Sequence, residues 1–488
     1  MTDKTLDATV THLKAFLGNN PGTTGNNNPI SELFDYLVES EDQALALIEY
    51  VTNPSGPPPI LPSHGSIELG FVLYWLDNPP PEVKNWLAEY TVLETIWLIL
   101  KDMAPATKIT TSNYDFLINK IETEAVPWED GTLIGTSKYE QLDPNWLLFV
   151  LNYAINNVDP GSIYPFQQNT SEPATLSATS GSGDPTLAII GDWGTGYYTD
   201  TNGADSPAER VITDLASRQF DYLIHLGDVY YAGTELRPMP GEELDNFINL
   251  WPNQGVGRNF TLNSNHEMYG DGYGYFTQAL ASNMPFSTQN GSSYFALTYG
   301  PWLVLCLDSA YYSDAENGRK FYMDGAIGTD SFTQQTNWLE GFRGHTGQIM
   351  VMTHHNPVAL TTGFTNELFN QVNNALGKMP DVWYWGHIHN GIVYDQLYIG
   401  NTENSVPTKG RCCGHAAIPF GNGWGLEKNS NIPYYAHTPD TTFPKGSPRV
   451  LNGYASVTLH MDGSFTEKFY EVGNQNAVWD KKWPETAE

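Results

Sequence analysis

From residue 185 onward, short apolar runs alternate with segments of helical period, and nearly every run ends beside a side chain able to bind a metal ion. "TLAII", "DYLIHL", "RNFTL", "WLVLCL", "QIMVMT" and "VWYW" are too short for buried helices and have the length of buried strands. Between them lie "SPAERVITDLAS", "SFTQQTNWLEGFR" and "NELFNQVNNALGKM", which read as helices. In the first of these, Ser206 is placed to cap the helix, Pro207 to open it and Glu209 to complete a capping box. Such alternation predicts an α/β domain over residues 185–488, with its ligands beyond the carboxyl ends of the strands.

Those strand ends carry the informative residues. Asp192 follows "LAII", Asp228 follows "LIHLG", Asn265 follows "FTLNS", His354 follows "IMVMT", and His387 and His389 follow "VWYWG". The stretch "IIGDWGTG" is glycine-rich but is not a nucleotide loop: Trp193 stands where a dinucleotide fingerprint needs glycine, and no lysine follows. Its glycines let the backbone turn sharply and leave Asp192 open as a ligand. Oxygen and imidazole donors suit Fe, Mn, Zn or Mg rather than Cu(I). Asp228 is able to bridge two ions through its two oxygens, the arrangement that clamps both attacking and leaving oxygens in phosphoryl transfer.

Residues 1–158 read differently. "TLDATVTHLKAFL" sets Leu6, Val10, Leu13 and Leu17 on one stripe, and "PEVKNWLAEYTVLETIWLIL" does the same with Trp86, Tyr90, Leu93 and Trp97. An all-α domain without a catalytic constellation is expected there, able to meet a protein partner. Residues 159–184, rich in Ser, Thr, Gly and Pro, read as a linker. A formal net charge of -32 argues against nucleic acid and anionic membranes as partners, because phosphate backbones are held by clustered Lys and Arg. An anionic substrate then needs a local source of positive charge. Three cysteines cannot build a disulfide framework, and the N-terminus carries no leader-like pattern, so a cytoplasmic, soluble protein is the expectation.

Five blocks in order, "GDWG" (191–194), "GDVYY" (227–231), "SNHE" (264–267), "VMTH" (351–354) and "GHIH" (386–389), resemble those of the calcineurin-like metallophosphoesterases. More narrowly they are similar to the purple acid phosphatase branch, whose blocks run GDxG, GDxxY, GNH(D/E), VxxH and GHxH. The resemblance spans roughly residues 185 to 470. It implies an α/β/β/α sandwich, two packed mixed sheets flanked by helices, joined to the N-terminal all-α domain. It also implies a dinuclear centre in which Asp192, Tyr231, His389 and bridging Asp228 hold Fe(III). Asn265, His354, His387 and the other Asp228 oxygen then hold a divalent Fe, Zn or Mn. On this reading Tyr231 is a phenolate ligand and Tyr230 is packing. A trivalent ion leaves the centre net positive, the local charge that an acidic protein needs to bind phosphate.

The same resemblance makes His266 the proton donor, since it directly follows the ligand Asn265. Two departures accompany it. Ser264 replaces the usual glycine, and the second catalytic histidine expected after the VxxHxP block is missing from "NPVALTTGFTNELFNQ". His355 and His415 are the substitutes to consider in the substrate pocket. Three functions follow: hydrolysis of small phosphomonoesters by metal-activated water, hydrolysis of small or nucleotide diesters by the same chemistry, or a partner-binding scaffold with a vestigial metal site.

Overall fold

The computed structural model describes residues 163–484, with breaks at 180, 182, 199–203, 236–240, 314–321, 323, 403, 419–425, 427–428 and 438–449. These residues fall in one compact unit. The helical domain expected over residues 1–158 lies outside the described residues. The chain runs β1 (Ala174–Thr175), β2 (Thr186–Ile190), α1 (Pro207–Ala216), β3 (Tyr222–His225), β4 (Asn259–Thr261) and α2 (Asn265–Tyr269). Next come β5 (Phe295–Tyr299), β6 (Trp302–Cys306), α3 (Gln334–Glu340), β7 (Gln348–Thr353), α4 (Glu367–Leu376) and β8 (Val382–Trp385). The remaining strands are β9 (Gly391–Val393), β10 (Leu397–Tyr398), β11 (Ser405–Val406), β12 (Lys409–Cys413), β13 (Tyr434–Tyr435), β14 (Gly453–Leu459), β15 (Phe465–Glu471) and β16 (Trp479–Trp483).

Two mixed sheets result, ordered β1-β5-β6-β7-β8-β12-β9-β13 and β16-β15-β14-β2-β3-β4. In the first, β6, β7, β8 and β12 run parallel; in the second, β2, β3 and β4 do. The period of two along each strand explains how the sheets stack. In "QIMVMT", Met350 and Met352 enter a core shared with Leu187, Ile189, Ile224, Phe260, Ala455 and Val457 of the other sheet. Ile349 and Val351 point the opposite way, into a core with Leu339 of α3 and Leu368, Phe369 and Val372 of α4. Both faces of this strand are buried, so its run is apolar throughout.

Helix α1 covers the outside of the six-stranded sheet: Tyr454 of β14 donates its hydroxyl to Asp214 of α1 at 2.8 Å. It starts as its residues dictate, with Ser206 accepting from the Glu209 amide and Pro207 in the first turn. Helix α4 is capped by Asn366 and ends at Gly377, whose φ of 70° is a left-handed stop that a side chain would strain. Among the described residues no helix is long and apolar enough to cross a membrane.

Part of the stretch read as a linker belongs to this unit. Tyr164 stacks on Phe276, Phe166 stacks on Tyr294, and β1 adds a parallel edge strand to β5. Composition predicts flexibility here, but its few aromatic residues and the open sheet edge provide the docking.

A buried ion pair ties one sheet to the other. Arg411 of β12 meets Glu467 of β15 through two bonds, Nε to Oε2 at 2.7 Å and Nη2 to Oε1 at 2.8 Å. Glu467 also accepts from Tyr384, Trp479 and Trp483, so every carboxylate lone pair has a partner. Burial opposes its charge, yet Arg411 outweighs that and holds the carboxyl below its usual range. Removing one partner strands a buried charge, which typically costs about 3–5 kcal/mol. We therefore expect Glu467→Leu to lower unfolding stability by about that much in urea titration, and adding Arg411→Met to recover part of it. A single variant as stable as the parent would contradict this account.

Candidate metal centre

The carboxyl ends of the parallel strands from both sheets meet at one seam. β2, β3 and β4 lead to Asp192, Asp228 and Asn265; β7 and β8 lead to His354 and to His387 with His389. Three of these residues sit in left-handed backbone, Asp192 at φ 59°, Asp228 at 80° and His387 at 65°. Non-glycine residues there cost of order 1–3 kcal/mol each, a cost met where surrounding structure enforces it. Here the strands stop and the chain must reverse direction within one residue, which turns each side chain into the seam. The glycines answer a second constraint, close approach. A Cβ on Gly386 would come 2.7 Å from Asp192 Oδ1, and one on Gly414 2.3 Å from Oδ2. At Gly194, two residues after Asp192, a Cβ would meet the Asp228 carbonyl at 2.7 Å, so no side chain fits there.

The donor atoms form two groups around Asp228. Its Oδ1 lies 3.2 Å from His354 Nε2, which is 2.7 Å from Asn265 Oδ1 and 3.2 Å from His387 Nδ1. His354 spends its Nδ1 proton on the Leu226 carbonyl at 2.9 Å, so Nε2 presents a lone pair. Asn265 donates its amide to Tyr269, which turns its oxygen inward. Two lone pairs, of His354 Nε2 and Asn265 Oδ1, therefore face each other, with His387 Nδ1 at 3.2 Å from both. The other Asp228 oxygen, Oδ2, lies 3.1 Å from Tyr230 Oη and 3.8 Å from His389 Nε2. Asp192 accepts the His387 amide at Oδ1, while its Oδ2, fully buried, has no hydrogen-bond partner.

Electrostatics agree with a cation-binding cluster. Burial raises the Asp192 carboxyl well above its usual range, and repulsion from Asp228 adds to this. Burial opposes the charge of Asp228 too, but the imidazoles of His266, His354 and His389 outweigh it and hold that carboxyl well down. Burial pushes His354 down to about 3 and His387 well below its ordinary value, so both imidazoles are neutral as ligands must be. An orphaned carboxylate oxygen and converging lone pairs of N and O type fit hard or borderline ions.

Around this cluster, Ser264 caps α2 and donates to Asp228 Oδ1 at 2.6 Å, a role a glycine in its place lacks. Glu267 contacts Ser264, and burial with the Asp228 charge raises its carboxyl to about 8. His266 donates Nδ1–H to the Tyr231 carbonyl at 2.7 Å and leaves Nε2 4.0 Å from Asp228 Oδ2. The hydroxyl beside Asp228 and His389 is that of Tyr230, the residue the sequence assigned to packing. The main chain of Tyr231 meets Glu242 through its N–H and His266 through its carbonyl.

His355 and His415 are placed behind the cluster. His355 donates Nε2–H to the Tyr322 carbonyl and accepts from Ser309 at Nδ1, and its ring packs 4.6 Å from His387. His415 is fully buried against Gly391 and Gly453, with neither ring nitrogen hydrogen-bonded. Glu242, which no sequence signal marked, accepts the amides of Tyr231, Ala232 and Thr234.

The family model for calcineurin-like phosphoesterases matches residues 185–391, the stretch that contains all five blocks. Over residues 185–391 the chain is therefore similar to calcineurin-like phosphoesterases. Among solved structures, the chain is similar to a purple acid phosphatase from yellow lupin (Lupinus luteus) seeds, with 13% identity and a TM-score of 0.34. That match covers 62% of this chain and 54% of the lupin protein, so the chain spans about half its length. It is also similar to PhoD, at 12% identity and a TM-score of 0.37, covering 62% of this chain and 72% of that one. No curated protein matches the chain.

Several buried histidines contribute to the acid sensitivity of the described residues. His225, His354 and His415 are held near a pKa of about 3 and His355 near about 4, all by burial. In the unfolded chain each returns to about 6.5 and binds a proton that the folded state refuses. These histidines make stability fall as pH drops from about 6.5 toward 3, whereas Glu242 and Glu267, raised by burial to about 7 and about 8, act in the opposite direction above their usual range. Melting temperature measured from pH 8 to 5 checks this, and His415→Asn should make the slope shallower. A His415→Asn variant whose melting temperature differs from the parent's by the same amount at every pH would contradict neutral burial of His415.

Proposed function

We propose that this chain hydrolyses phosphoesters at a pair of metal ions, with small phosphomonoesters as its substrates. The observation that carries this reading is the division of Asp228: Oδ1 lies beside His354, whose Nε2 in turn meets Asn265 and His387, and Oδ2 lies beside His389 and a tyrosine hydroxyl. One carboxylate serving two donor groups is the arrangement a bridged pair requires. Asp192, Asp228, His389 and a phenol would hold one ion; the anionic oxygens there suit trivalent iron. Asn265, His354, His387 and Asp228 Oδ1 would hold the other, a divalent Fe, Zn or Mn. Such ions, when bound, supply positive charge for phosphate and lower the pKa of water from about 15.7 toward roughly 7.

The chain's own residues do the rest. His266 is oriented by its bond to the Tyr231 carbonyl, which fixes Nε2 as the atom that faces substrate. Nε2 is thus placed to hold a proton against a substrate oxygen and release it to the leaving group. A seam lined by buried side chains limits competing water around that step. The acidic surface favours small substrates over long nucleic acids, since only the metal pair offers phosphate a positive field. The helical domain over residues 1–158 is proposed as the part that meets a protein partner.

Asn265→Ala or His387→Ala is expected to lose the divalent ion and most activity while the fold survives, because each side chain lies beyond a strand end. Full metal content with near-parental turnover would refute the ligand assignment. His266→Ala should keep both metals and lose about 10²- to 10⁴-fold in rate. Aryl phosphomonoester and diester turnover, measured side by side, tests the substrate class. Faster diester cleavage would move the reading to a phosphodiesterase, and no turnover of either by metal-loaded protein would favour a scaffold.

A further inference from the structure

Resting on the metal-centre reading above, we propose that residues 163–176 form a strap that holds α2 in place, with Tyr164 and Phe166 as positioning residues for the divalent half of the site. Helix α2 carries Asn265 and His266 on a run of only 5 residues, too few for a helix to hold together by its own hydrogen bonds. Its placement therefore comes from what grips its two ends. At the exit, the Tyr164 amide donates to the Asp271 carbonyl at 2.9 Å, and the Tyr164 ring stacks on Phe276 at 5.1 Å and meets Tyr273 edge-on at 5.5 Å. At the entry, the Asn263 side-chain amide donates to Asp308 Oδ2 at 3.1 Å. Asp308 opens the turn after β6, and its Oδ1 also accepts the amides of Ala310 and Tyr311, each at 2.9 Å.

The strap reaches that second turn as well. The Phe166 ring packs 4.8 Å from Tyr311 and 4.9 Å from Tyr312, and the Tyr311 hydroxyl donates to the Tyr164 carbonyl at 2.7 Å. Between Asp308 and these tyrosines stands Ser309, whose hydroxyl lies 2.9 Å from His355 Nδ1 and accepts the His355 amide at 3.0 Å. The His355 ring in turn packs 4.6 Å from that of His387. One turn thus steadies both Asn263, just ahead of the proposed ligand Asn265, and the imidazole behind the proposed ligand His387. Past Phe166 the strap is moored to the eight-stranded sheet. Phe166 stacks on Tyr294, the Asn169 amide donates to the Tyr294 hydroxyl at 2.9 Å, and Ala174 and Thr175 pair with β5. The segment is therefore fixed to a sheet edge at one end and to the two turns that flank α2 at the other.

The test uses the full-length protein and reads three quantities: Mn(II) affinity by titration calorimetry, the melting temperature of the metal-free form, and kcat and KM on an aryl phosphomonoester at saturating Mn(II). Phe166→Ala is expected to weaken the binding of one Mn(II) about 10-fold, the lower end of what partners behind metal ligands contribute. Its kcat should fall while KM stays near the parent's, because α2 also carries His266. Phe166→Tyr keeps the ring and should bind Mn(II) as the parent does. Leu176→Ala is the control: this side chain is buried in the core between the sheets, so its loss should lower the melting temperature and leave Mn(II) affinity and kcat at the parent's values. A Phe166→Ala variant that melts lower yet binds Mn(II) as tightly as the parent reduces the strap to a structural role and overturns the proposal. An equal loss of affinity in Leu176→Ala overturns it as well, and both results leave the metal-centre reading standing. A parent that binds no Mn(II) overturns that reading and the proposal with it. Should Phe166→Ala fail to fold, Phe166→Leu, which keeps apolar bulk without the ring, decides by the same comparison.

Discussion

Lone pairs repel, and the centre of this domain is a collection of them held at hydrogen-bond distance from two sheets. His354 Nε2 lies between Asn265 Oδ1 and Asp228 Oδ1, and Asp192 Oδ2 is buried without a hydrogen-bond partner. Left to itself such a cluster would spread apart or fill with water. The scaffold holds it together. Strand ends that stop in register aim the side chains inward, glycines at 386 and 414 close against Asp192, and the two sheets are kept together behind them. A cation relieves the repulsion that the fold imposes, which ties the energetics of folding to those of metal binding.

The joint between the sheets is correspondingly strong. The shared core packs Met350 and Met352 against Leu187 and Ile189, and the Arg411–Glu467 pair adds a directional lock that apolar contacts cannot supply. Closer to the site, the Gly191 amide of one sheet donates to the Cys413 carbonyl of the other. Sliding of one sheet over the other by a single residue would separate Asp192 from His387 and pull Asp228 from His354.

Behind the donor atoms, a second layer fixes their orientation. Leu226 sets the tautomer of His354, Ser264 holds Asp228 Oδ1, the Tyr231 carbonyl directs His266, and Ser309 with Tyr322 secures His355 beside His387. Partners of this kind determine ring orientation and basicity as much as the ligands themselves do. Most are backbone carbonyls, which any residue supplies. They leave no trace in the amino-acid pattern.

How much was legible follows from that distinction. The apolar runs "TLAII", "QIMVMT" and "VWYW" coincide with β2, β7 and β8, because burial on both faces and short length are local properties. The Asp, Asn and His that follow strand ends were readable for the same reason: each depends on a few neighbouring residues. Ser206 and Pro207 likewise announced α1. Long-range relations were not readable. The docking of 163–176 depends on aromatic partners more than a hundred residues away, and the Glu242 clamp lies across a turn from the residues it holds. That the Tyr230 hydroxyl lies beside Asp228 depends on backbone direction at one turn, a quantity that residue types do not encode. The sequence by itself determined which chemical groups the domain owns and at which strand ends they stand. Only the tertiary structure decided which atoms face each other, because that depends on the register of two sheets whose strands come from distant parts of the chain.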